Sequence, residues 1–591
     1  MPRDSGYETN PSRENTIQTS HAPGGNQRMS NISTSDINRM VTNKAPIFKE
    51  RTLTNASESR YSLVMQPESS PISQDQLAAE VKGIYAGLVM VESKCINIDA
   101  AQAIDLTTDL APEKWQALIA LHRTLLYEHH DFLMATQHPS ATATLRALPL
   151  RYSMPARMWK HGIHAFLEVL RHRRPESQEY MLAFVYLAYQ MMALLYETVP
   201  AFLDTWIECL GDLARYRMAI EDEREPHATW GGVAASWYIK ASDKHPDVGR
   251  LHHHLGILER PGLRKFACYG KSLTSVVPFL NARDSMTTLC ISISEDQSAV
   301  RTALRSTEAS FCRVFALLFL GKAMDLVDAA SSTAFQLLAT PENFRWKDAG
   351  VPLAIISISA LLGFGSPRNP LRVAYDKAIG RHVTASAAAK PYTPVYAPPE
   401  NADPISEPEE QPEPQLPSTA KSIALAILSY SLRQPADPAK IHDVLPYLHT
   451  TLCFLHSLTL VQNHYYTAGS FHLLEEVPWG ALATFLSHLL RLEPLTQRVE
   501  QCARHGVFLY SENGGDSQPL PEDYSIRGLV WGYSAFGPAT FDTAQEEGVR
   551  MAENDRTRKG RAERVIYYAL KLSFVSRASL NSLLDDTDCR R

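Results

Sequence analysis

The run TWIECLGDLARYRMAIED at 205–222, with VAASWYIKASDKHPDVGRLHHHLGILERPGLRKFACYGKSLTSVVPFLNARDSM at 233–286, decides the fold class. Thr205–Ile220 reads as one amphipathic helix, and a Trp-Gly-Gly break at Trp230–Gly232 precedes three more. The first of these carries Trp237, Tyr238 and Ala241 and stops before Pro246. Gly249 opens the next, with Leu251, Leu255 and Leu258 at spacings of four and three, and Pro261-Gly262 ends it. The last presents Phe266, Tyr269 and Leu273 and ends before Pro278. Those spacings follow the 3.6-residue period, and the breakers fall where helix ends belong. Short helices joined by Pro- and Gly-containing turns fit a tetratricopeptide-like unit, which needs helical neighbours to bury its apolar face. An ordinary helical bundle explains the same spacing.

Helical periodicity extends in both directions. Upstream, Leu77, Val81, Ile84, Tyr85 and Leu88 mark one helix, and Trp115, Leu118, Leu121 and Leu125 a second. A third spans about Pro155 to Arg174, and Tyr180–Val199 is apolar nearly all round, as a helix central to a bundle would be. Downstream, the pattern continues through Ser298–Leu338 and 351–364, pauses, and resumes from Ser422. The pause, 384–420, is rich in Pro and Glu and reads as a stiff acidic linker. Residues 1–72 are rich in Ser, Thr, Asn, Arg and Pro and poor in large apolar side chains, which predicts a disordered tail. A strand pattern and a Gly-rich nucleotide loop are both missing from the sequence. The expected fold class is all-α.

A chain of 591 residues is too long for one core. Its net charge of −6 gives no global attraction to nucleic acid, so binding of that kind needs a local basic patch. The eight cysteines include no CxxC pair, which argues against a zinc finger or a disulfide framework and suits the nucleus or cytoplasm. The N-terminus has no apolar signal core, and the longest apolar runs, such as Val351–Phe364, read as buried core helices short of the roughly 20 residues a spanning helix needs.

Four blocks carry a family resemblance: GDLARYR at 211–217, WYIKASDKHPDVGRLHHHL at 237–255, YGKSL at 269–273 and PFLNAR at 278–283. In order and spacing they resemble the "ever shorter telomeres" type of DNA/RNA-binding family, which contains telomerase-associated proteins and adaptors of nonsense-mediated mRNA decay. The filamentous-fungal branch is the most similar. PLPEDYSIRGLVWGY (519–533) and RKGRAERVIYYALKL (558–572) extend the likeness toward the C-terminus. The resemblance implies a 14-3-3-like, tetratricopeptide-like domain over 73–290. A helical extension would follow at 291–383, then the linker at 384–420, a helical region at 421–573 and a polar tail at 574–591. It implies RNA or single-stranded DNA as partners, together with a phosphorylated decay-pathway helicase or the telomerase particle.

The Pro155–Arg174 helix is the most suggestive charged surface. Trp159, Ile163, Phe166 and Leu170 form its apolar face, and at 100° per residue Arg157, Lys160, His164 and Arg171 gather in a stripe beside it. Such a stripe suits a phosphate or an acidic peptide, or is simply a solvated polar face. By resemblance, the phosphate-gripping arginine is Arg215, and His164 stands where the family pattern has Lys. Lys160, Arg171 and Arg217 are substitutes on the same surface. Arg215 equally suits an ion pair with Glu208 or Glu221. The helices at 155–174 and 205–220 are expected side by side, with phosphate affinity rising as pH falls through the imidazole pKa near 6.5. His252-His253-His254 cannot chelate one ion on a helix, because consecutive side chains diverge by about 100°. The acids near the terminus do not fall into the α/β pattern of a metal-dependent nuclease, and no Ser-His-Asp or Cys-His set can be assembled. The expectation is a non-enzymatic chain with no metal, no cofactor, no small-molecule substrate and no membrane.

Overall fold

The computed structural model describes residues 72–104, 110–340, 344–383, 416–433, 438–465, 473–506, 519–533, 535–536, 541 and 555–575. The expected tail at 1–72 up to Pro71, the linker up to residue 415 and the polar tail from 576 lie outside the described residues. Among the described residues the fold is all-α, and no strand forms beyond two isolated bridges, Val248 with Val277 and Ser275 with Leu529. The last residues of the expected linker, from Leu416, already belong to a helix.

The N-terminal helices pack as consecutive neighbours: α1 (Gln74–Ile104), α2 (Pro112–Thr136), α3 (Ala143–Arg151), α4, α5 (Gln178–Thr198), α6 (Leu203–Ile220) and α7 (Arg224–Lys244). Three consecutive pieces make up α4: Met154–Arg157, a π-helical turn Met158–His164, and Ala165–His172. Leu77, Leu88, Leu126, Phe132, Phe166 and Phe184 belong to the core that joins them. The chain then passes through α8 (Gly249–Leu258) and α9 (Leu263–Thr274) into a second core. Its central rod is α14 (Trp346–Leu361), reached through α10 (Ala282–Glu295), α11 (Gln297–Ala303), α12 (Thr307–Phe319) and α13 (Met324–Leu338). After α15 (Pro370–Val383) come α16 (Leu416–Leu432), α17 (Pro438–Tyr465), α18 (Trp479–Leu492), α19 (Gln497–His505), α20 (Pro521–Ile526) and α21 (Asp555–Val575). α9, α14, α17 and α21 pack in succession, so the C-terminal helices close onto the centre of the chain.

Several expectations change in three dimensions. The Trp230–Gly232 break is absent: α7 runs through it from Arg224. Buried Trp230, edge-on to Tyr186 and under Arg217, holds this turn helical at the modest cost of two glycines, each about 1 kcal/mol. α5 is not the bundle centre, because Tyr186 and Leu194 on it stay exposed. Among the described residues two helices, Gln178–Thr198 and Lys440–Val461, are long and apolar enough to cross a membrane, against the expectation that the longest apolar runs fall short. The second is 78% buried and serves as a core helix. Ser298–Leu338 divides into three helices, with Gly321 in the left-handed region at one break and Ser306 capping α12 at the other. On α8 the buried face is Leu251, His252, His253 and Gly256, while Leu255 and Leu258 remain half-buried.

Histidine is a core residue here. His129 is fully buried, its Nδ1 facing the Leu125 carbonyl at 2.9 Å, and burial lowers its pKa to about 4. A buried imidazole held neutral takes up its proton more readily in the unfolded chain. Its stabilising contribution is therefore present above the unfolded pKa near 6.5 and is lost as pH falls toward 4. Replacing His129 with Leu is expected to flatten the pH dependence of stability between those limits by about 1.4 kcal/mol per pH unit. Urea midpoints at a series of pH values measure it. An unchanged slope would show that His129 titrates alike in both states.

Candidate functional site

The four resemblance blocks fold against one another. Gly211 on α6 faces the ring of Tyr238 on α7, where a Cβ would stand 2.7 Å from the ring. Gly256 on α8 meets the Tyr269 ring in the same way. Glu208 on α6 pairs with Arg250 on α8 at 2.9 Å, both nearly buried. His254 stacks on Tyr238 with centroids 4.9 Å apart, and burial takes its pKa down to about 3. His252 faces the Pro246 carbonyl and His253 the Ser285 hydroxyl, each at 2.9 Å. The histidine triplet therefore spreads to three different neighbours. Among the described residues no group of three or more His, Cys, Asp or Glu is placed to hold a metal ion.

Arg215 sits inside this set. Its Nη2 donates to Asp212 at 3.2 Å and its Nε to the Tyr238 hydroxyl at 3.4 Å, while that hydroxyl donates to Asp212 at 2.6 Å. The partner is thus Asp212; Glu208 goes to Arg250 and Glu221 to Arg217. Burial would raise the Asp212 pKa, but His254, Arg215 and Tyr238 outweigh it and hold the carboxyl below its usual range. Arg215 Nη1 makes no hydrogen bond among the described residues, and the side chain remains 27% exposed. A carboxylate and a phenol therefore fix the guanidinium, which also lies over the Tyr216 ring with its carbon 5.3 Å from the centroid.

The stripe on α4 does not survive as a stripe. Its middle turn is π-helical, with the Ala165 N–H reaching back five residues to Lys160 O. The wider turn admits an extra residue, so 100° geometry fails across it. Gly162 lies in that turn against Leu126, and its carbonyl faces Nδ1 of buried His122 at 3.1 Å. Arg157 turns to α1 and pairs with Glu92; Lys160 is exposed. Arg171 is held by Glu168 at 3.0 Å, and Glu168 also accepts from the Tyr216 hydroxyl at 2.8 Å. Burial would raise the Glu168 pKa, but Tyr216 and Arg171 keep it below the normal range. Farther along, Arg173 donates to Gln102, and Arg174 donates to Ala219 O at the end of α6, so the basic run 171–174 is largely spent on helix ends.

α4 and α6 both pack on α5 and meet through side chains: Tyr216 to Glu168, and Tyr216 edge-on to His164 with centroids 6.4 Å apart. His164, Arg171 and Arg215 thus share one region with two acids, Glu168 and Asp212. Burial lowers the His164 pKa, with Glu168 and Asp212 opposing. Any charging of His164 therefore occurs below pH 6.5, not at it. Arg217 lies over Trp230 and Tyr186, 5.3 and 5.8 Å from the ring centroids, and is committed to Glu221. Sequence reading also missed a groove of about 550 Å³ between α1 and α4, lined by Asp99, His161, His164, Glu168 and His172 with small apolar neighbours. Two acids and three histidines, of which the sequence singles out His164 alone, are its signal.

No family model matches the chain. The chain is similar to EST/SMG-like protein 2 of Saccharomyces cerevisiae (strain ATCC 204508 / S288c), 21% identical over 345 residues. The match takes in 53% of this chain and 28% of the relative, so the chain spans less than a third of that protein's length. That distant likeness supports an EST/SMG-like kinship in general terms.

Proposed function

We propose that this chain is a non-enzymatic helical adaptor of the EST/SMG-like kind, working in nonsense-mediated mRNA decay or telomere maintenance, in the nucleus or cytoplasm. Its N-terminal array, 14-3-3-like in the sense of the sequence blocks, reads a phosphorylated segment of a partner protein through Arg215. The observation that supports this is the guanidinium of Arg215, oriented by Asp212 and Tyr238 and partly exposed, beside His164 and Arg171. Pre-orientation of a bidentate cation is what phosphate recognition needs. Glu168 and Asp212 temper the field, so modest affinity is expected.

Titration of the full chain with a phosphoserine peptide and its unphosphorylated twin tests the site. The phosphorylated form should bind about tenfold tighter, matching one charge-assisted hydrogen bond of roughly 1.5 kcal/mol. Arg215→Met, which keeps the aliphatic stem, and Arg215→Glu should both abolish the difference while the melting temperature reports on folding. Because burial keeps His164 neutral, the protein's contribution should change little between about pH 6.5 and pH 8. Equal affinity for the two peptides would leave a generic helical interaction scaffold. RNA or single-stranded DNA is the second partner class the kinship suggests. Pull-downs with and without nuclease and phosphatase separate partners tethered by nucleic acid from those held by phosphate.

A further inference from the structure

One carboxylate stands among the cations of the Arg215 region. Glu168 Oε2 accepts from Arg171 Nε at 3.0 Å, and Glu168 Oε1 accepts from the Tyr216 hydroxyl at 2.8 Å. The Tyr216 ring in turn lies 5.3 Å from the carbon of the Arg215 guanidinium. Glu168 therefore ties Arg171, on its own helix, to the residue that Arg215 covers. Burial opposes its ionisation, but Tyr216 and Arg171 hold its pKa below the usual range, so at neutral pH it is a carboxylate.

Among these residues two guanidiniums, Arg171 and Arg215, face two carboxylates, Glu168 and Asp212, and burial lowers the pKa of His164 beside them. The two acids do different work. Asp212 accepts from both Arg215 and Tyr238 and so orients the phosphate-reading cation. Glu168 instead occupies Arg171, whose side chain is 55% exposed. An exposed i,i+3 ion pair is weak and exchanges readily. What it exchanges for depends on the charge of the newcomer. A carboxylate on a partner offers Arg171 no more than Glu168 does, and Glu168 is already held in place by the helix. A phosphoserine carries a charge of about −1.5 to −2 at pH 7 and three strong acceptor oxygens, so it competes where a carboxylate fails.

We propose that Glu168 is a specificity-determining residue of the phosphate site: it holds Arg171 against acidic segments of partner proteins and yields it to a phosphate dianion. The inference rests on the Arg215 reading and adds to it the class of ligand that is refused. Discrimination of this kind comes from a like charge placed against the wrong ligand.

The test uses the full chain and fluorescein-labelled Ala/Gly peptides that differ only at the central residue: Ser, phosphoserine or Glu. Titrations at about pH 7.5 keep the phosphate, whose second pKa is about 6, mostly dianionic. Fluorescence anisotropy of the parent should rank phosphoserine first and show no preference for Glu over Ser. Glu168→Gln keeps an acceptor for the Tyr216 hydroxyl and should bind the Glu peptide about tenfold tighter than the Ser peptide, the scale expected when one like charge beside the ligand is removed. Adding Arg171→Met should cancel that gain, with melting temperatures reporting on folding. Three results would each overturn the inference and leave the Arg215 reading standing. They are a parent that binds Glu as tightly as phosphoserine, a Glu168→Gln variant that prefers phosphoserine but treats Glu and Ser alike, and a gain that survives Arg171→Met in full. Loss of phosphate preference in both the parent and Glu168→Gln would overturn the Arg215 reading and this inference with it.

Discussion

Gly528→Ala is expected to destabilise the chain by roughly 3 kcal/mol or more, placing it among the severe single substitutions. Gly528 adopts φ +80°, a region that costs any residue with a Cβ about 1–2 kcal/mol. The added methyl would also fall within the Pro246 carbonyl, a backbone group that cannot rotate away. Gly528 belongs to a clasp. Val276 N–H donates to Gly528 O at 3.0 Å, Val530 N–H to Thr274 O at 3.1 Å, and Lys271 Nζ to Tyr524 O at 3.2 Å. Arg527 pairs with Asp243 at the end of α7. Burial under the clasp takes the Lys271 pKa down to about 7. Opening it would expose Arg527, now 9% exposed, so trypsin should cut there in the variant and spare the parent. Gly480→Ala, an exposed helical position with open space for a methyl, is the control and should be neutral or slightly stabilising. Equal melting temperatures and equal protection at Arg527 would remove the clasp from the account of stability.

Arg250→Ala carries the second large effect, about 3–5 kcal/mol of lost stability, the usual cost of stranding a buried charge. Glu208 is 2% exposed and would lose the guanidinium that neutralises it. His254 stands 3.8 Å from that carboxylate, but burial holds its ring neutral. Replacing both members, Glu208→Leu with Arg250→Met, should recover most of the loss, because the desolvation of both charges disappears together. Chemical denaturation of the parent, the single variant and the double variant measures it. If the double variant is as unstable as the single, the loss comes from packing around Arg250 and not from the stranded carboxylate.

Part of the candidate site was legible in advance. GDLARYR marks α6 and places Arg215 correctly on it, and the Asp three residues earlier is within i,i+3 reach. The Gly of that block, however, is a packing residue against Tyr238, and Glu208–Arg250 and His254–Tyr238 show that much of the family-like pattern preserves contacts among α6, α7 and α8. The α4 stripe was misread for a local reason: a π turn shifts the register. The carbonyl of Gly162 within that turn faces His122, a residue forty positions earlier. His122 and Asp99 passed unnoticed because each interrupts an apolar pattern singly, and only their 3.2 Å contact gives them a meaning.

The sequence by itself determined the helices, most of their ends and the all-α class, because periodicity, Pro, Gly and capping residues act within a few positions of one another. Tertiary structure alone decided which charges are spent and which are open. Arg157 to Glu92, Arg173 to Gln102 and Lys271 to Tyr524 span 65, 71 and 253 residues of chain. Such partners are chosen by which helix faces are brought together during packing. A residue's local pattern says that it is basic or buried, but it does not say what stands opposite, and that neighbour sets whether the group binds a ligand or holds the fold.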